Sequence, residues 1–380
     1  MVRTKKFNLL TGLLVLVMCN TSLNAHNYKT KNTLRENPLD IVFCLDLSGS
    51  TNGLIYDVRD QLWFIINQIH AFERTPDLRI GVVGFSRPSF GKDNAYVKVL
   101  SKLTDDFDSL AYELYKLKPS IEKGDQYVNA ALTVAMNDMN WGKEAGNRKI
   151  IFIVGNGLAS DKGTDVYKTC EQLSKQNITV NSLFVIGKIT HHGVAMSGWR
   201  KIAELTSGLQ SEITIDRNDV VSDLEMAYPK LLETNNELNN TYLFYGKNGK
   251  HNYRRTISLD SAVYKSGVSF YYERVWYKQS VMFQNMQHDW DLVDHIKSAT
   301  GDLAAIDTTT LPDSLQFMNP IELNGLLLKV KDNREIILRK IRLLYESNHI
   351  KTVHQKFLNK EFPDSNIFSR CVINMLIKQW

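Results

Sequence analysis

Hydrophobic and polar positions change rhythm along the chain. Between Asp40 and about Leu232, short apolar runs alternate with amphipathic segments, the pattern of an α/β unit with a mainly parallel sheet. Ile41–Leu45, Ile80–Phe85, Ile150–Val154 and Val180–Ile186 read as strands, and three of them are almost continuously apolar, as strands covered on both faces must be. Leu62, Ile65, Ile66 and Ile69 recur at helical spacing after the first strand, and Val128, Ala131, Leu132 and Ala135 do so before the third. A weaker run, Tyr96–Leu100, reads as an edge strand. The expected fold is a doubly wound α/β sheet with helices on both faces.

Beyond Leu232 the texture shifts. The Asn-rich stretch Asn235–Asn240 reads as a linker, and the chain after it is mostly helical in pattern. The boundaries expected are therefore an α/β domain over 38–232 and a helical C-terminal extension over 233–380. Leu327, Val330, Ile337, Ile341 and Leu344 keep near-heptad spacing and predict a long amphipathic helix near 321–347, its stripe packing within the domain.

The N-terminus carries a different signal. Arg3, Lys5 and Lys6 precede the apolar run Leu9–Met18, and Leu23-Asn24-Ala25 offers a small-residue cleavage site, so residues 1–25 read as a secretory signal peptide. The run is too short to span a bilayer, and no later stretch approaches 18 apolar residues, so no transmembrane helix is expected in the mature chain. Leu16-Val17-Met18-Cys19 loosely resembles a lipoprotein box, which would anchor the chain by a lipid on Cys19, but Met18 fits that box poorly. The expectation is a periplasmic or secreted protein, with a membrane-anchored lipoprotein as the alternative. After cleavage Cys44, Cys170 and Cys371 remain, with no spacing that builds a disulfide framework or zinc site, and Cys44 reads as a small core residue. With 43% hydrophobic and 23% charged residues the chain is globular, and its net charge of +5, partly in the leader, does not call for nucleic acid.

Candidate chemistry begins at Asp46-Leu47-Ser48-Gly49-Ser50-Thr51, directly after the first strand. In a doubly wound sheet the loops beyond the carboxyl ends of the strands form the ligand crevice. Asp-x-Ser-x-Ser puts a carboxylate and two hydroxyls on one side of an extended loop, an oxygen set suited to a hard divalent cation such as Mg²⁺. The structural alternative is that Ser48 and Ser50 cap the following helix while Asp46 accepts backbone hydrogen bonds.

This motif in this position resembles the metal-ion-dependent adhesion site of von Willebrand factor type A (vWA) domains, a Rossmann-like family. The resemblance covers about residues 38–232. Leu103-Thr104-Asp105-Asp106, Gly124-Asp125-Gln126-Tyr127, Trp141 and Val154-Gly155-Asn156 look like an uncharacterised group of exported bacterial vWA proteins, as do Leu238–Tyr242 and Trp290–Asp294 in the extension. The resemblance implies a site built from Asp46, Ser48 and Ser50 plus two further loops. The second usually gives a threonine; here Asp125 or Gln126 stands in the matching stretch. The third usually gives an aspartate; here it is Asn156, which removes one negative charge. It further implies Mg²⁺, or Mn²⁺ or Ca²⁺, bridging to a carboxylate on a protein partner, with specificity set by a rim such as Ser86–Ala95, where Arg87, Phe90 and Lys92 lie.

Enzyme readings find less support. There is no Gly-x-Ser-x-Gly elbow, and no histidine is marked as a base for Ser48. Ile186-Gly187-Lys188-Ile189-Thr190 lacks the glycine a phosphate loop needs, since Ser182 stands there. His191-His192 read as exposed loop residues. Asp289, Asp291 and Asp294 around Trp290 read as a surface helix rather than paired catalytic acids. The aromatic cluster Tyr242, Phe244, Tyr245, Phe270, Tyr271, Tyr272, Trp276 and Tyr277, interleaved with Arg254, Arg255, Lys265, Arg274 and Lys278, reads as a core with a snorkelling basic rim. The expectation is a binding or assembly protein, not an enzyme; the alternatives are an enzyme or enzyme subunit with its chemistry in the C-terminal region, or a metal-free structural scaffold.

Overall fold

A computed structural model describes residues 37–51, 53–72, 74–159, 165–186, 192–215, 228–297, 303–347 and 366–380. The leader and Cys19 lie outside these residues, as do Gly187–Thr190 and His191.

Six strands form one sheet: β1 (Pro38–Asp46), β2 (Asp77–Phe85), β3 (Lys98–Thr104), β4 (Arg148–Gly155), β5 (Ile178–Ile186) and β6 (Gln210–Thr214). They run in the order β3-β2-β1-β4-β5-β6. All pairings are parallel except β2 with β3, an antiparallel edge with shifted register. The expected edge strand at Tyr96–Leu100 thus starts two residues later and runs four further. After building β1, β2 and β3 outward on one side, the chain crosses to the other for β4, so the switch in direction lies between β1 and β4.

Alternation along β1 decides the two layers. Leu39, Ile41, Phe43 and Leu45 face one core, Val42 and Cys44 the other. On the second face lie α3 (Val128–Asp138), α4 (Val166–Lys175) and α5 (His192–Leu205), with Trp199 packed edge-on against Phe184. On the first lie α1 (Leu54–His70) and α2 (Phe107–Lys116). At the foot of the sheet buried Asp40 accepts from Arg79 (2.7 and 2.8 Å), Gly142 N–H and Asn147. Burial alone would raise its pKa, but these donors outweigh it and hold the carboxyl below its usual value.

The C-terminal region is helical: α6 (Tyr228–Asn239), α7 (Gly249–Ser266), α8 (Val268–Tyr277), α9 (Val281–Gln287), α10 (Leu292–His295), α11 (Pro320–Ser347) and α12 (Phe368–Gln379). It shares the core of the first sheet face. Phe368 of α12 lies 5.6 Å from Phe43, and Tyr277 of α8 packs on Trp63 of α1 at 4.8 Å. The Asn-rich stretch expected as a linker instead forms the C-terminal end of α6. Asn235 and Asn239 are buried there, because their amides serve a buried lysine, Lys278.

Charges expected at the surface are likewise inside. Arg274 spans Asp108 of α2 (2.5 Å) and Asp260 of α7 (3.1 Å), and Lys278 reaches Asp260 at 2.8 Å. Two acids and two bases thus neutralise one another under the aromatic cluster, and Arg274 and Lys278 are 0% and 1% exposed rather than snorkelling. Asp291 and Asp294 are also buried and held by Arg334, which overturns their reading as a surface helix.

Candidate functional site

The site is set by where β1 and β4 stop. Asp46 is the last residue of β1 and is fully buried; Asn156 comes directly after β4, on the neighbouring strand across the switch. Their closeness requires Gly155, where a Cβ would meet the Asp46 Cβ at 2.7 Å and the indole of Trp199 at 3.1 Å. Gly157 turns the chain back with φ +81°, and a side chain there would collide with Gln126 at 2.8 Å.

After β1 the chain makes a short 3₁₀ turn (Gly49–Thr51) before α1. Thr51 Oγ1 donates to the Asp46 carbonyl (2.7 Å) and approaches the Ser48 carbonyl at 3.1 Å, which fixes the turn from below. Leu47 N–H donates to Phe85 O, and Gly49 N–H to Glu122 O at 2.7 Å, so the loop is also tied to its neighbours. With the backbone set, Ser48 N–H donates to Asp46 Oδ1 (2.9 Å), Ser48 Oγ pairs with Ser50 Oγ (2.9 Å), and Ser50 Oγ donates to Asn156 Oδ1 (3.0 Å). Asp46, Ser48, Ser50 and Asn156 therefore form one connected set of oxygens, buried at Asp46 and open to solvent at Ser50.

The loop 117–127 brings the second-loop residues. Tyr127 N–H donates to Ser86 Oγ, and the amide of Gln126 faces the Asp46 carboxylate, whereas Asp125 is exposed at the rim. Of the two residues expected there, Gln126 is the one turned into the site.

Within this set, two buried oxygens have no hydrogen-bond partner among the described residues: Asp46 Oδ2 and Gln126 Oε1. Burial drives the Asp46 carboxyl up to about 6, against the pull of Ser48, the Asn156 N–H and the Gln126 amide, which lie near without closing a bond to Oδ2. An ionised carboxylate in such a place is short of positive charge, and among the described residues no cationic side chain is bonded to it. The donors present, one carboxylate, two hydroxyls and two amide oxygens, fit a hard divalent ion in type and number.

Around this centre, Arg87 bridges the rim loops, donating to Lys118 O (3.0 Å) and lying 3.5 Å from Glu122. The Ser86–Ala95 loop folds into two 3₁₀ turns, with Phe90 half-buried and Lys92 exposed. Ile121, whose backbone lies against Gly49, is 88% exposed, and Leu158, two residues past Asn156, is 53% exposed. Sequence reasoning missed these two, although Ile121 stands alone between Ser120 and Glu122 and Leu158 is a large side chain between Gly157 and Ala159. It also missed Thr51, whose hydroxyl is legible as a turn-former only once the loop's path is known.

Among the described residues no group of three or more His, Cys, Asp or Glu side chains is arranged to hold a metal, and no helix is long and apolar enough to cross a membrane. Residues 40–208 match the von Willebrand factor type A domain family. No curated protein matches the chain. Among solved structures, the conserved hypothetical protein BatB from Bacteroides thetaiotaomicron shares 14% identity over 46% of this chain and 90% of its own, with a TM-score of 0.36. The pilus adhesin SpaC from Lactobacillus rhamnosus GG shares 14% over 47% of this chain and 28% of its own, TM-score 0.36. Proximal thread matrix protein 1 from the mussel byssus, with zinc in its MIDAS motif, shares 18% over 47% and 45%, TM-score 0.34.

Proposed function

Because residues 40–208 are a von Willebrand factor type A domain, we propose that the chain is an exported binding or assembly module that grips an acidic group of a protein partner through a divalent cation. The observation that carries this reading is the pair of buried, unpartnered oxygens, Asp46 Oδ2 and Gln126 Oε1, at the switch between β1 and β4. Asp46, Ser48, Ser50 and Asn156, with Gln126 from the second loop, would hold the ion, and Asp125 would stand at the rim. A bound Mg²⁺, Mn²⁺ or Ca²⁺ supplies an open coordination position for the partner's carboxylate.

The protein's own residues do the rest. Asp46 gives the only buried negative charge of the set, and Asn156 keeps the site one charge short of two carboxylates, which favours an incoming acid. Exposed Ile121 and Leu158 fit a partner whose acid is flanked by apolar groups. Nothing in the set is placed as a nucleophile with its base, so the reading is binding without turnover.

Calorimetric titration of the demetallated protein with Mg²⁺, Mn²⁺ and Ca²⁺ tests it. Wild type is expected to take one ion, Asp46→Ala none, and Asn156→Asp to bind more tightly. A second reading, a metal-free scaffold, draws on the hydrogen bonds that already join Ser48, Ser50 and Asn156; absence of heat and of any stability shift with every ion would establish it instead.

A further inference from the structure

Helix α11 is apolar on two opposite faces. One is buried: Leu323, Leu327, Ile337, Ile341 and Tyr345 pack inward, with the ion-paired Arg334 among them. Along the other, Ile321, Leu328, Ile336 and Leu343 are 85, 47, 51 and 58% exposed. Their spacings of seven, eight and seven residues keep them on one side of a helix, directly opposite the buried face. Gly325, which has open space beside it, and exposed Asp332 and Arg339 complete the stripe.

The order of residues along this stripe is symmetric about Asp332. Ile321 and Leu343 are equally far from it, as are Leu328 and Ile336, and Gly325 and Arg339. We infer that the outer face of α11 pairs with the same face of a second copy of this chain, antiparallel, about a two-fold axis at Asp332. In that register Leu328 and Ile336 of one copy interleave with Ile336 and Leu328 of the other. Gly325 leaves room for the longer side chains of the mate.

Charges beside the stripe agree with this direction. Antiparallel two-fold packing brings each flank of the helix against the same flank of its mate. On one flank are Lys331 and Glu335, on the other Glu322 and Lys340, each pair lying within a turn of the symmetric register, so each acid meets the mate's base. Glu322 also helps cap α11 at Asn319, and Lys340 also pairs with Glu237 across the surface, at 3.0 Å. Asp332 meets its own copy in either direction, but a parallel pairing would also set Arg339 on Arg339, where the antiparallel register sets it on Gly325, and would bring each flank against the opposite one. The stripe spans about 33 Å, and an interface of that length lies near the ~1,000 Å² lower bound for specific association, so a reversible dimer is expected. This inference does not depend on the cation site.

Sedimentation equilibrium of the purified protein over a concentration series is the test. Wild type should associate to a dimer, and Leu328→Glu with Ile336→Glu should remain monomeric. Glu335→Lys should weaken the dimer about tenfold, and Lys331→Glu added to Glu335→Lys should restore it. All these residues are exposed or partly exposed, and unchanged circular dichroism and melting separate lost pairing from lost folding. For direction, a mixture of Ile321→Cys and Leu343→Cys chains should give a mixed disulfide, while neither alone forms one. A wild type that stays monomeric throughout, a Glu335→Lys variant that dimerises unchanged, or disulfides within each single variant would overturn the inference.

Discussion

Two of the places where the molecule buries carboxylates treat them in opposite ways. Under the helical layer, Asp108 and Asp260 are answered by Arg274 and Lys278, with Asn235, Asn239 and Thr256 filling remaining hydrogen-bonding positions. Despite complete burial, the Asp260 carboxyl is held well below its usual value by Lys278 and Arg274, which outweigh the desolvation. At the end of β1, Asp46 is equally buried, has hydroxyls and amides about it and no cation, and is pushed up to about 6. A group neutralised by its own chain holds structure, whereas one left wanting positive charge is poised to take it from outside.

The largest expected effect breaks the first member of this comparison. Arg274→Met should destabilise the fold by about 3–5 kcal/mol, because it strands Asp108 and Asp260 in the interior; urea unfolding measures it. Next comes the second member. In metal-free protein Asp46→Asn should stabilise by about 3 kcal/mol above pH 6, the cost of ionising a carboxyl shifted from 3.8 to about 6. The sign is that of a raised folded pKa: the favourable contribution of the protonated acid is complete below about pH 4 and lost as pH rises through 6. The two proteins should therefore converge in acid and diverge near neutrality, and unfolding curves at pH 4 and pH 8 decide. Any gain for wild type on adding Mg²⁺ should be absent from Asp46→Asn.

A smaller change sharpens the contrast. Asn156→Asp sets a second carboxylate beside Asp46, so it should cost about 1 kcal/mol without metal and tighten cation binding roughly tenfold, read by melting with and without Mn²⁺. Smallest is the exposed pair Lys116–Glu113, 2.7 Å apart with both side chains about half in water. Lys116→Ala should change stability by less than ~0.5 kcal/mol, which shows that distance alone does not measure an ion pair.

How far the sequence foretold all this differs between the two halves. The sheet was legible because β1, β2, β4 and β5 are buried on both faces, and unbroken apolar runs mean little else at that length. Asp46, Ser48 and Ser50 were legible because they lie close together in one loop, and Asn156 because it ends a strand recognisable on its own. The choice between Asp125 and Gln126 was not, since it depends on which way the 117–127 loop turns over Ser86. In the helical half, asparagines at 235 and 239 signal a loop to any local reading. They sit inside a helix because Lys278 needs their oxygens, and Lys278 is itself there for Asp260, on a third element. Partners some 20 to 170 residues apart, such as Asp108 and Arg274, leave no local trace. One trace was present: Arg274 and Lys278 are a helical turn apart on the same side as Tyr271, a basic pair on an aromatic face rather than beside it.

The placement of α12 also governs the order of events at the ribosome. Phe368 lies on Phe43, and Arg148 holds the carbonyls of Gln379 and Trp380 at the foot of the sheet. Strand β1 is thus among the first described elements to be synthesised, and the helix that covers its centre is the last. Until Phe368–Gln379 emerges, a nascent chain carries a partly uncovered apolar sheet face. A stop codon ahead of Phe368 would therefore leave a product suited to chaperone capture and proteolysis rather than a shortened working protein.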